Sequence, residues 1–269
     1  MQKTKFCIEI IVHDDASNDG TITVIRKYAQ KYKNLIKPIY QSENQYSKGI
    51  LPSTYAYRRA KGKYIAICEG DDYWTDPYKL QKQVDLMEAN KNISLCYHRV
   101  VRPGLTVDED SYLIKDDVST GFIPTCSVLF TNEKKIIDNF IKYSGGIISG
   151  DQFLFYLSSF FGEIKYLDFV GGVYNQTEHG ITRKIGIQPD KWRLNRILMY
   201  SILFNISPMK NKLALIKVAQ SSLFNAMEIG IMSPFITYPY HTFKIIVLGF
   251  IFYPKYTLYR IKSLKNYRG

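Results

Sequence analysis

The fold is decided by an apolar run that ends in a group of carboxylates: KYIAICEGDDYW, Lys63 to Trp74. The length of its first half, and its β-branched and aromatic content, are typical of a buried strand. Glu69, Asp71 and Asp72 then follow within four residues, where the strand must leave the sheet. Like charges this close repel one another unless a cation or free solvation separates them. The stretch therefore predicts either a divalent-metal site at a strand end or a solvated acidic turn.

Strand-like and helix-like segments alternate on both sides of this stretch. Strands are predicted at 7–13, 35–40, 63–68 and 93–98, and helices at 21–32, 51–60 and from Asp76-Pro77 to about Met87. This alternation predicts an α/β domain with a Rossmann-like, mostly parallel sheet flanked by helices. Ligands of such sheets bind beyond the carboxyl ends of the strands. A second acidic turn, Asp14-Asp15, also follows a strand, so the two turns can face one crevice.

Composition is that of a globular protein. The chain has 269 residues, of which 46% are hydrophobic and 22% charged, which suits one α/β domain with an appendage rather than disorder. Its four cysteines form no CxxC pair, which favours free thiols in a reducing compartment over a disulfide framework or a zinc site. No signal peptide is visible, so a cytoplasmic location is expected.

The net charge of +12 lies entirely in the C-terminal third. From Ile181 onward there are 14 Lys and Arg against two acidic residues, whereas the preceding residues balance. We therefore expect one domain over 1–180 and a basic, aromatic-rich helical region over 181–269, in different surroundings. Helices are predicted there at 189–205, 208–229 and 240–262, and the apolar run 242–253 is too short to span a bilayer.

Two segments together resemble a known family. They are EIIVHDDASNDGT, Glu9 to Thr21, and AKGKYIAICEGDDYW, Ala60 to Trp74. Their order and spacing resemble those of family 2 glycosyltransferases, which have the GT-A fold, and the resemblance covers roughly residues 8–180. It implies an enzyme that moves a sugar from a nucleoside-diphosphate sugar to a hydroxyl group, assisted by Mg²⁺ or Mn²⁺ and with inversion.

The resemblance also implies roles for the two acidic turns. Asp15 would meet the nucleobase through its carboxylate, and Asp14 would support the turn. Asp71 and Asp72 fall on the metal-binding motif of the DXD type. Glu69 occupies the leading acidic position, where Asp is more usual, and its extra methylene favours a ribose contact or an indirect metal contact.

Further roles follow from the same resemblance. Asp151 matches the acidic residue that acts as catalytic base in inverting members. His179, in a segment resembling the loop that closes over the donor, would reach the metal or the diphosphate. Arg59 and Lys61 would add positive charge near the phosphates, and Trp74 would stack on an acceptor sugar.

Each role has a structural alternative. Asp14 and Asp15 can simply stabilise their turn, and Asp151 can be the N-cap of the helix that follows it. His179 can be an ordinary loop histidine, and Trp74 can pack in the core or at its rim. For the basic residues near position 60, a solvated helix face is the plainer interpretation.

The resemblance predicts a defect as well. Family members usually open with an additional central strand, whereas this chain begins about where the helix after that strand should end. We therefore expect a sheet with a gap or a distorted edge beside residues 7–13, since unpaired buried backbone groups are costly. A start site upstream and an inactive, truncated gene product both fit this pattern.

The basic C-terminal region leaves rival functions open. Its Lys and Arg alternate with aromatic residues, which suits peripheral contact with anionic lipid at the inner face of the plasma membrane. A lipid-linked or glycan acceptor in bacterial surface-polysaccharide synthesis would agree with that location. Nucleic-acid binding explains the charge but not the two acidic turns, so no nucleic-acid partner is expected. A nucleotidyltransferase would normally show a Gly-rich basic phosphate loop, which is not seen.

Overall fold

The computed structural model describes residues 1–103, 123–175, 189–228 and 234–266. These group into two compact units, one formed by 1–146 with 161–175 and the other by 147–160 with the residues from 176 onward. Residues 147–160 thus group with the C-terminal helices, although they precede the boundary expected at residue 180. As a division into functional domains, that boundary stays a prediction.

The first unit alternates strands and helices, as the sequence predicts. Its elements are β1 (Ile10–Asp14), α1 (Thr21–Lys31), β2 (Ile36–Tyr40), α2 (Ser53–Arg59), β3 (Tyr64–Ala66), β4 (Tyr73–Trp74), α3 (Lys79–Ala89), β5 (Ile93–Val101), β6 (Leu129–Thr131), α4 (Lys134–Tyr143) and β7 (Glu163–Val173). Short 3₁₀ turns occupy Tyr46–Lys48 and Thr125–Ser127.

The strands pair in both directions. Strands β1 and β2 form a parallel pair, and a five-stranded sheet has the order β3-β6-β5-β7-β4. Within that sheet β5 and β7 are parallel, whereas the other three pairs are antiparallel. The α/β class is confirmed, but the sheet is more mixed than the mostly parallel one expected. Periodicity could not set these directions, because β4 and β6 pair with strands that lie far away along the chain.

The expected gap in the sheet is present. Among the described residues, β1 pairs with β2 alone and β3 with β6 alone, so the two strands belong to different sheets. The segment before β1 packs instead against α3 and the core. The backbone N–H of Lys3 donates to the Pro77 carbonyl at 2.7 Å, and Phe6 and Ile8 contact the cluster around Leu80.

Several boundaries differ from the predicted ones for local reasons. Helix α3 begins at Lys79 rather than Pro77. The Tyr78 N–H donates to Asp76 Oδ1 at 2.7 Å, and this bond closes a turn immediately before the helix. Strand β7 was not predicted, and its sequence ends with Gly171-Gly172 before the last valine. A Cβ at Gly171 would lie 2.5 Å from the buried His98 ring, so the close packing of β5 and β7 requires glycine there.

A lysine lies inside the core of the first unit. Lys79 is fully buried beside the cluster formed by Leu80, Met87, Ile93, Cys96 and Leu129. Its Nζ stands 4.0 Å from the centroid of the Trp74 ring, and no described residue forms a hydrogen bond with it. Burial lowers the pKa of Lys79 to about 7, against a small opposing effect of the neighbouring thiols. The nearby His98 is kept neutral in turn, with its pKa lowered to about 3 by burial and by Lys79.

The second unit is helical. It contains α5 (Gly150–Phe161), α6 (Pro189–Ile206), α7 (Met209–Glu228), α8 (Pro234–Thr237), α9 (Pro239–Phe252) and α10 (Pro254–Asn266). The single helix predicted at 240–262 is two helices, because Pro254 cannot donate the hydrogen bond that would continue α9. None of the helices in the described ranges is both long and apolar enough to cross a bilayer.

We predict that Lys79→Met makes the protein more stable at pH 7. The pKa of Lys79 falls from its ordinary 10.5 to about 7 on folding, so the unfolded chain binds more protons between these values. The free energy of unfolding of the wild type therefore rises with pH across this window, and methionine removes the dependence. Urea unfolding from pH 6 to 10 should show an advantage of the variant that shrinks as pH rises.

Lys82→Met is the matched control for this prediction. Lys82 lies on the same helix, but its side chain is half-exposed and pairs with Asp76 at 2.6 Å. Its replacement should change stability by less than about 1 kcal/mol at every pH. The prediction is wrong if Lys79→Met has a lower free energy of unfolding than the wild type at every pH from 6 to 10, because burial of the Lys79 ammonium would then not destabilise the fold.

Candidate functional site

The loop between β3 and β4 gathers three carboxylates. One oxygen each from Glu69, Asp71 and Asp72 can be chosen so that all three lie within 4.8 Å of one another. Glu69 and Asp71 are exposed, whereas Asp72 is only 8% exposed. Oxygen ligands at this separation suit a hard divalent cation such as Mg²⁺ or Mn²⁺.

Asp72 provides the test of whether a cation fits. Its Oδ1 accepts a 2.8 Å hydrogen bond from the backbone N–H of Asn175, whereas its buried Oδ2 has no hydrogen-bond partner within the described ranges. Burial raises the pKa of Asp72, hydrogen bonds from the Asn175 N–H and the Cys126 thiol lower it, and the charge of Asp71 raises it further. A buried carboxylate oxygen without a donor is costly unless a cation pairs with it, so these residues fit a metal.

Asn175 holds the acidic loop in place and was missed by the sequence reasoning. Besides the backbone bond to Asp72, its Nδ2 donates to the Asp71 carbonyl oxygen at 2.7 Å. The antiparallel pairing of β4 with β7 brings the two segments together. Gly172 allows this approach, since a Cβ there would lie 2.9 Å from the Tyr73 carbonyl oxygen. Nothing local in the sequence marks an asparagine that acts on a loop so far away.

Both carboxylates of the second acidic turn accept backbone hydrogen bonds, and a nucleobase contact by Asp15 stays a prediction. Both Asp15 oxygens accept backbone N–H bonds, from Gln45 at 2.8 Å and Tyr46 at 3.0 Å, and so hold the 3₁₀ turn that follows β2. Asp14 is 2% exposed, and its Oδ2 accepts from the Ser17 N–H at 3.1 Å. Its Oδ1 is buried without a hydrogen-bond partner in the described part of the chain. The less committed carboxylate is therefore Asp14.

An aromatic pair lies beside this turn. The rings of His13 and Tyr55 stack with centroids 5.3 Å apart and planes at 16°. The Tyr55 hydroxyl donates to Gln45 Oε1 at 3.0 Å, and His13 Nε2 lies 3.2 Å from Gln41 Nε2. Burial lowers the pKa of His13, while Asp15 and Asp14 act in the opposite direction. The sequence reasoning used neither ring, and a flat pair next to a candidate nucleotide turn is suited to stacking on a base.

The predicted basic residues make structural contacts. Arg59 Nη1 donates to the Pro38 carbonyl oxygen of β2 at 3.1 Å. Lys61 has an exposed side chain, and its backbone N–H donates to Glu9 Oε1 at 2.7 Å. A phosphate contact by either residue stays a prediction.

Trp74 is anchored within the first unit. Its Nε1 donates to the Cys126 carbonyl oxygen at 2.8 Å, and one ring face is covered by the Lys79 ammonium. Its neighbour Tyr73 is 53% exposed. Acceptor stacking by Trp74 stays a prediction, and Tyr73 is the more accessible ring next to the acidic loop.

Asp151 stands in the first turn of α5, in the second unit. The side chain is half-buried, and burial raises the pKa of its carboxyl against backbone hydrogen bonds from Gln152 and Asp151 itself. Helix α6 holds the preceding segment: Asn195 Oδ1 accepts from the Ile148 N–H at 2.7 Å, and Trp192 Nε1 donates to Ser149 Oγ at 2.6 Å. A carboxylate with a raised pKa is a better proton acceptor near neutral pH, which agrees with the predicted role of base. His179 lies outside the described residues.

Comparison with known proteins establishes the family. The model of glycosyl transferase family 2 matches residues 2–160, more than half of the chain. The chain therefore belongs to glycosyl transferase family 2, as the two motifs predicted.

Two curated relatives match part of this chain. An uncharacterized protein of Mycobacterium tuberculosis is 33% identical over 194 residues, which is 67% of this chain and 53% of that protein. The chain thus spans about half the length of this relative. A UDP-Glc:α-D-GlcNAc-diphosphoundecaprenol β-1,3-glucosyltransferase of Escherichia coli is 39% identical over 85 residues, 31% of each chain.

A solved structure shares the fold. It is a mannosyltransferase of Pyrobaculum calidifontis in complex with GDP-Man and Mn²⁺, with a TM-score of 0.50 at 15% identity. The match covers 96% of this chain and 75% of that chain. The likeness confirms the predicted GT-A fold.

We predict that Asn175→Ala weakens Mn²⁺ binding by about fivefold. The variant loses the side-chain bond to the Asp71 carbonyl, worth about 1 kcal/mol, but keeps the backbone bond to Asp72. Isothermal titration with Mn²⁺ measures the change. Asn139→Ala is the control, because the Asn139 side chain donates to the Lys135 carbonyl of its own helix, far from the acidic loop in sequence. Equal affinities in the two variants would show that Asn175 does not position the loop.

Proposed function

We propose that the protein transfers a sugar from a nucleoside-diphosphate sugar to a hydroxyl of a glycan or lipid-linked acceptor, with inversion at the anomeric carbon. The observation that carries the proposal is the acidic loop, in which the buried Asp72 Oδ2 has no hydrogen-bond partner among the residues that the structure describes. Family membership and the GT-A fold support it, because the loop lies within residues 2–160, which the family model matches.

Asp71 and Asp72 would hold a divalent cation, Mg²⁺ or Mn²⁺, with Glu69 at its edge or on the ribose. Such a cation, when bound, stabilises negative charge on the leaving diphosphate as a Lewis acid. The Mn²⁺ in the Pyrobaculum structure supports this choice. Asn175 fixes the loop backbone, so the carboxylates are positioned before the ligand arrives.

The nucleotide would lie against the turn that follows β1. Asp15 would meet the nucleobase while its oxygens hold the turn through the Gln45 and Tyr46 amides, and the buried Asp14 would support the turn through the Ser17 amide. The His13–Tyr55 stack offers a flat apolar surface beside it. Arg59 and Lys61 would add positive charge for the phosphates.

Asp151 would act as the general base. Its carboxylate takes the proton of the acceptor hydroxyl while that oxygen attacks the anomeric carbon. The bond from this carbon to the diphosphate oxygen breaks in the same step, and the nucleoside diphosphate leaves with the bonding electrons. A single displacement of this kind inverts the configuration. The raised pKa of Asp151 supports the role, and Tyr73 or Trp74 would stack on the acceptor sugar.

The setting we propose is bacterial surface-polysaccharide synthesis at the inner face of the plasma membrane. The E. coli relative acts, by its name, on a diphosphoundecaprenol-linked sugar, which supports a lipid-linked acceptor. The principal alternative is an inactive chain that binds the donor without turnover. Its motivation is the gap between β1 and β3, which adjoins the proposed nucleotide turn.

We predict that UDP, GDP or dTDP stabilises the chain only when Mn²⁺ is present. A ligand at 100 times its dissociation constant adds about 2.7 kcal/mol to the free energy of unfolding, which a thermal-shift assay detects readily. In the Asp72→Asn variant, adding Mn²⁺ and nucleotide together should no longer raise the melting temperature. Asp85 lies on the exposed face of α3 and accepts a hydrogen bond from Gln81, so Asp85→Asn should keep the stabilisation by Mn²⁺ and nucleotide. Stabilisation that is independent of Mn²⁺, or absent with all three nucleotides, counts against the proposed site.

We predict that Asp151→Asn lowers the rate of sugar release from the donor by about 10²- to 10⁴-fold. The thermal shift with Mn²⁺ and nucleotide should not change. Because the pKa of Asp151 is raised, wild-type activity should fall with decreasing pH at a higher pH than an ordinary carboxylate would give. Asp138→Asn, an exposed residue paired with Lys134, serves as control. A wild type that binds nucleotide but releases no sugar would favour the inactive alternative.

A further inference from the structure

Helix α9 exposes an apolar face. Tyr240, Phe243 and Ile251 are 68%, 66% and 63% exposed, and Val247 and Phe250 are also exposed. On a helix of 3.6 residues per turn, these five positions fall within an arc of about 100°. The face is therefore a continuous strip rather than scattered side chains.

The opposite side of α9 is the one that packs within the second unit. Thr242, Ile245 and Gly249 are buried there. The Thr242 hydroxyl donates to the Pro234 carbonyl at 2.9 Å, and Gly249 lies directly against Gln220, where a Cβ would clash. Helix α9 thus turns its smaller and more polar side inward and its larger apolar side outward, the reverse of an ordinary surface helix.

Helix α10 adds exposed cations. Lys255 and Lys262 are exposed together with Leu258 and Tyr259, and the four positions again share an arc of about 100°. Residues 239–266 contain five Lys and Arg and no Asp or Glu. Two of these cations are tied to the unit, since Lys244 bonds Asn205 and Arg260 bonds Asn225. The exposed lysines accordingly have no acidic residue of their own segment to pair with.

Anionic lipid is the occupant that satisfies both features. Acyl chains take up the Phe and Ile side chains, and anionic headgroups pair with the lysines. Nucleic acid would leave the aliphatic Val247 and Ile251 without apolar cover. A symmetric contact with a second copy would bring two segments of the same positive charge together. The helix has 14 residues, about 21 Å, so it can lie in a bilayer surface but not cross the hydrocarbon core.

We propose that the exposed strip of α9 inserts into the surface of an anionic bilayer, with Lys255 and Lys262 of α10 at the headgroups. This deepens the membrane location proposed above. It does not depend on the transferase activity, because binding to vesicles is measured without donor, metal or acceptor. Failure of this inference and failure of the proposed function are thus separate results.

The test is sedimentation of the full chain with two kinds of vesicle, phosphatidylcholine alone and phosphatidylcholine mixed with phosphatidylglycerol. We expect binding to the mixed vesicles that weakens as salt is added, and little binding to the neutral ones. Phe243→Gln combined with Ile251→Gln should lower affinity for the mixed vesicles at least tenfold. Both side chains are mostly exposed and glutamine favours helix, so thermal unfolding should be unchanged. Val24→Gln, at an exposed apolar position of α1, is the matched control.

Two further variants make the outcome decisive. Lys255→Gln with Lys262→Gln should reduce affinity by about fivefold per lysine and flatten the salt dependence. Phe243→Trp should give added fluorescence that shifts to shorter wavelength on vesicles and is quenched by brominated acyl chains. Binding that the Phe243 and Ile251 changes do not affect overturns the inference. Absence of vesicle binding also overturns it. Binding of duplex DNA in place of vesicles would then identify nucleic acid as the partner, and a wild-type dimer that the Phe243 and Ile251 changes dissociate would identify a second copy of the chain.

Discussion

The mutual repulsion of the carboxylates between β3 and β4 is the constraint on which the arrangement of the first unit depends. Asp71 and Asp72 are adjacent, and one oxygen of the buried Asp72 has no hydrogen-bond partner in the described part of the chain. The 3.1 Å bond from the Asp72 N–H to the Glu69 carbonyl closes the loop backbone but does not compensate this charge. Strand β7 supplies the support, through its pairing with β4 and through Asn175 at its end. What remains unsatisfied is negative charge at one point, and a divalent cation satisfies it most directly.

The core of the first unit also contains a buried charge, the Lys79 ammonium, which no described carboxylate pairs with. Lys79 brings an ammonium into an apolar cluster, where the Trp74 ring and neutral thiols are its neighbours. A ring face stabilises a cation by about 2 kcal/mol or more when water is excluded, which offsets only part of the cost of burial. Trp74 is in turn tied to the Cys126 carbonyl, so the strand that leaves the acidic loop is held from two sides.

Much of the fold could be predicted because the relevant signals are local. Hydrophobic periodicity located β1, β2, β3 and β5 and their intervening helices, and the acidic loop is a contiguous stretch. Strand β7 was not predicted, because its run EIKYLDFV does not alternate strictly between apolar and polar residues. Strand directions could not be predicted because the pairing partners are distant in sequence. The site residues likewise separate into those with a local sequence signal and those without one. Asp71 and Asp72 could be picked out from their neighbours, whereas Asn175 lies 103 positions from Asp72 and carries no mark of its role.

The sequence by itself determined the family, the α/β class, the acidic cluster and the concentration of positive charge in the last third, because each is written in adjacent residues or in composition. Only the tertiary structure decided which carboxylate oxygens have hydrogen-bond donors. Both Asp15 oxygens accept from amides 30 and 31 positions away, while Asp14 and Asp72 each keep a buried oxygen without a donor among the described residues. It likewise decided which side of α9 faces outward. Hydrogen bonds and burial are settled by groups that meet only on folding, and no local pattern records them.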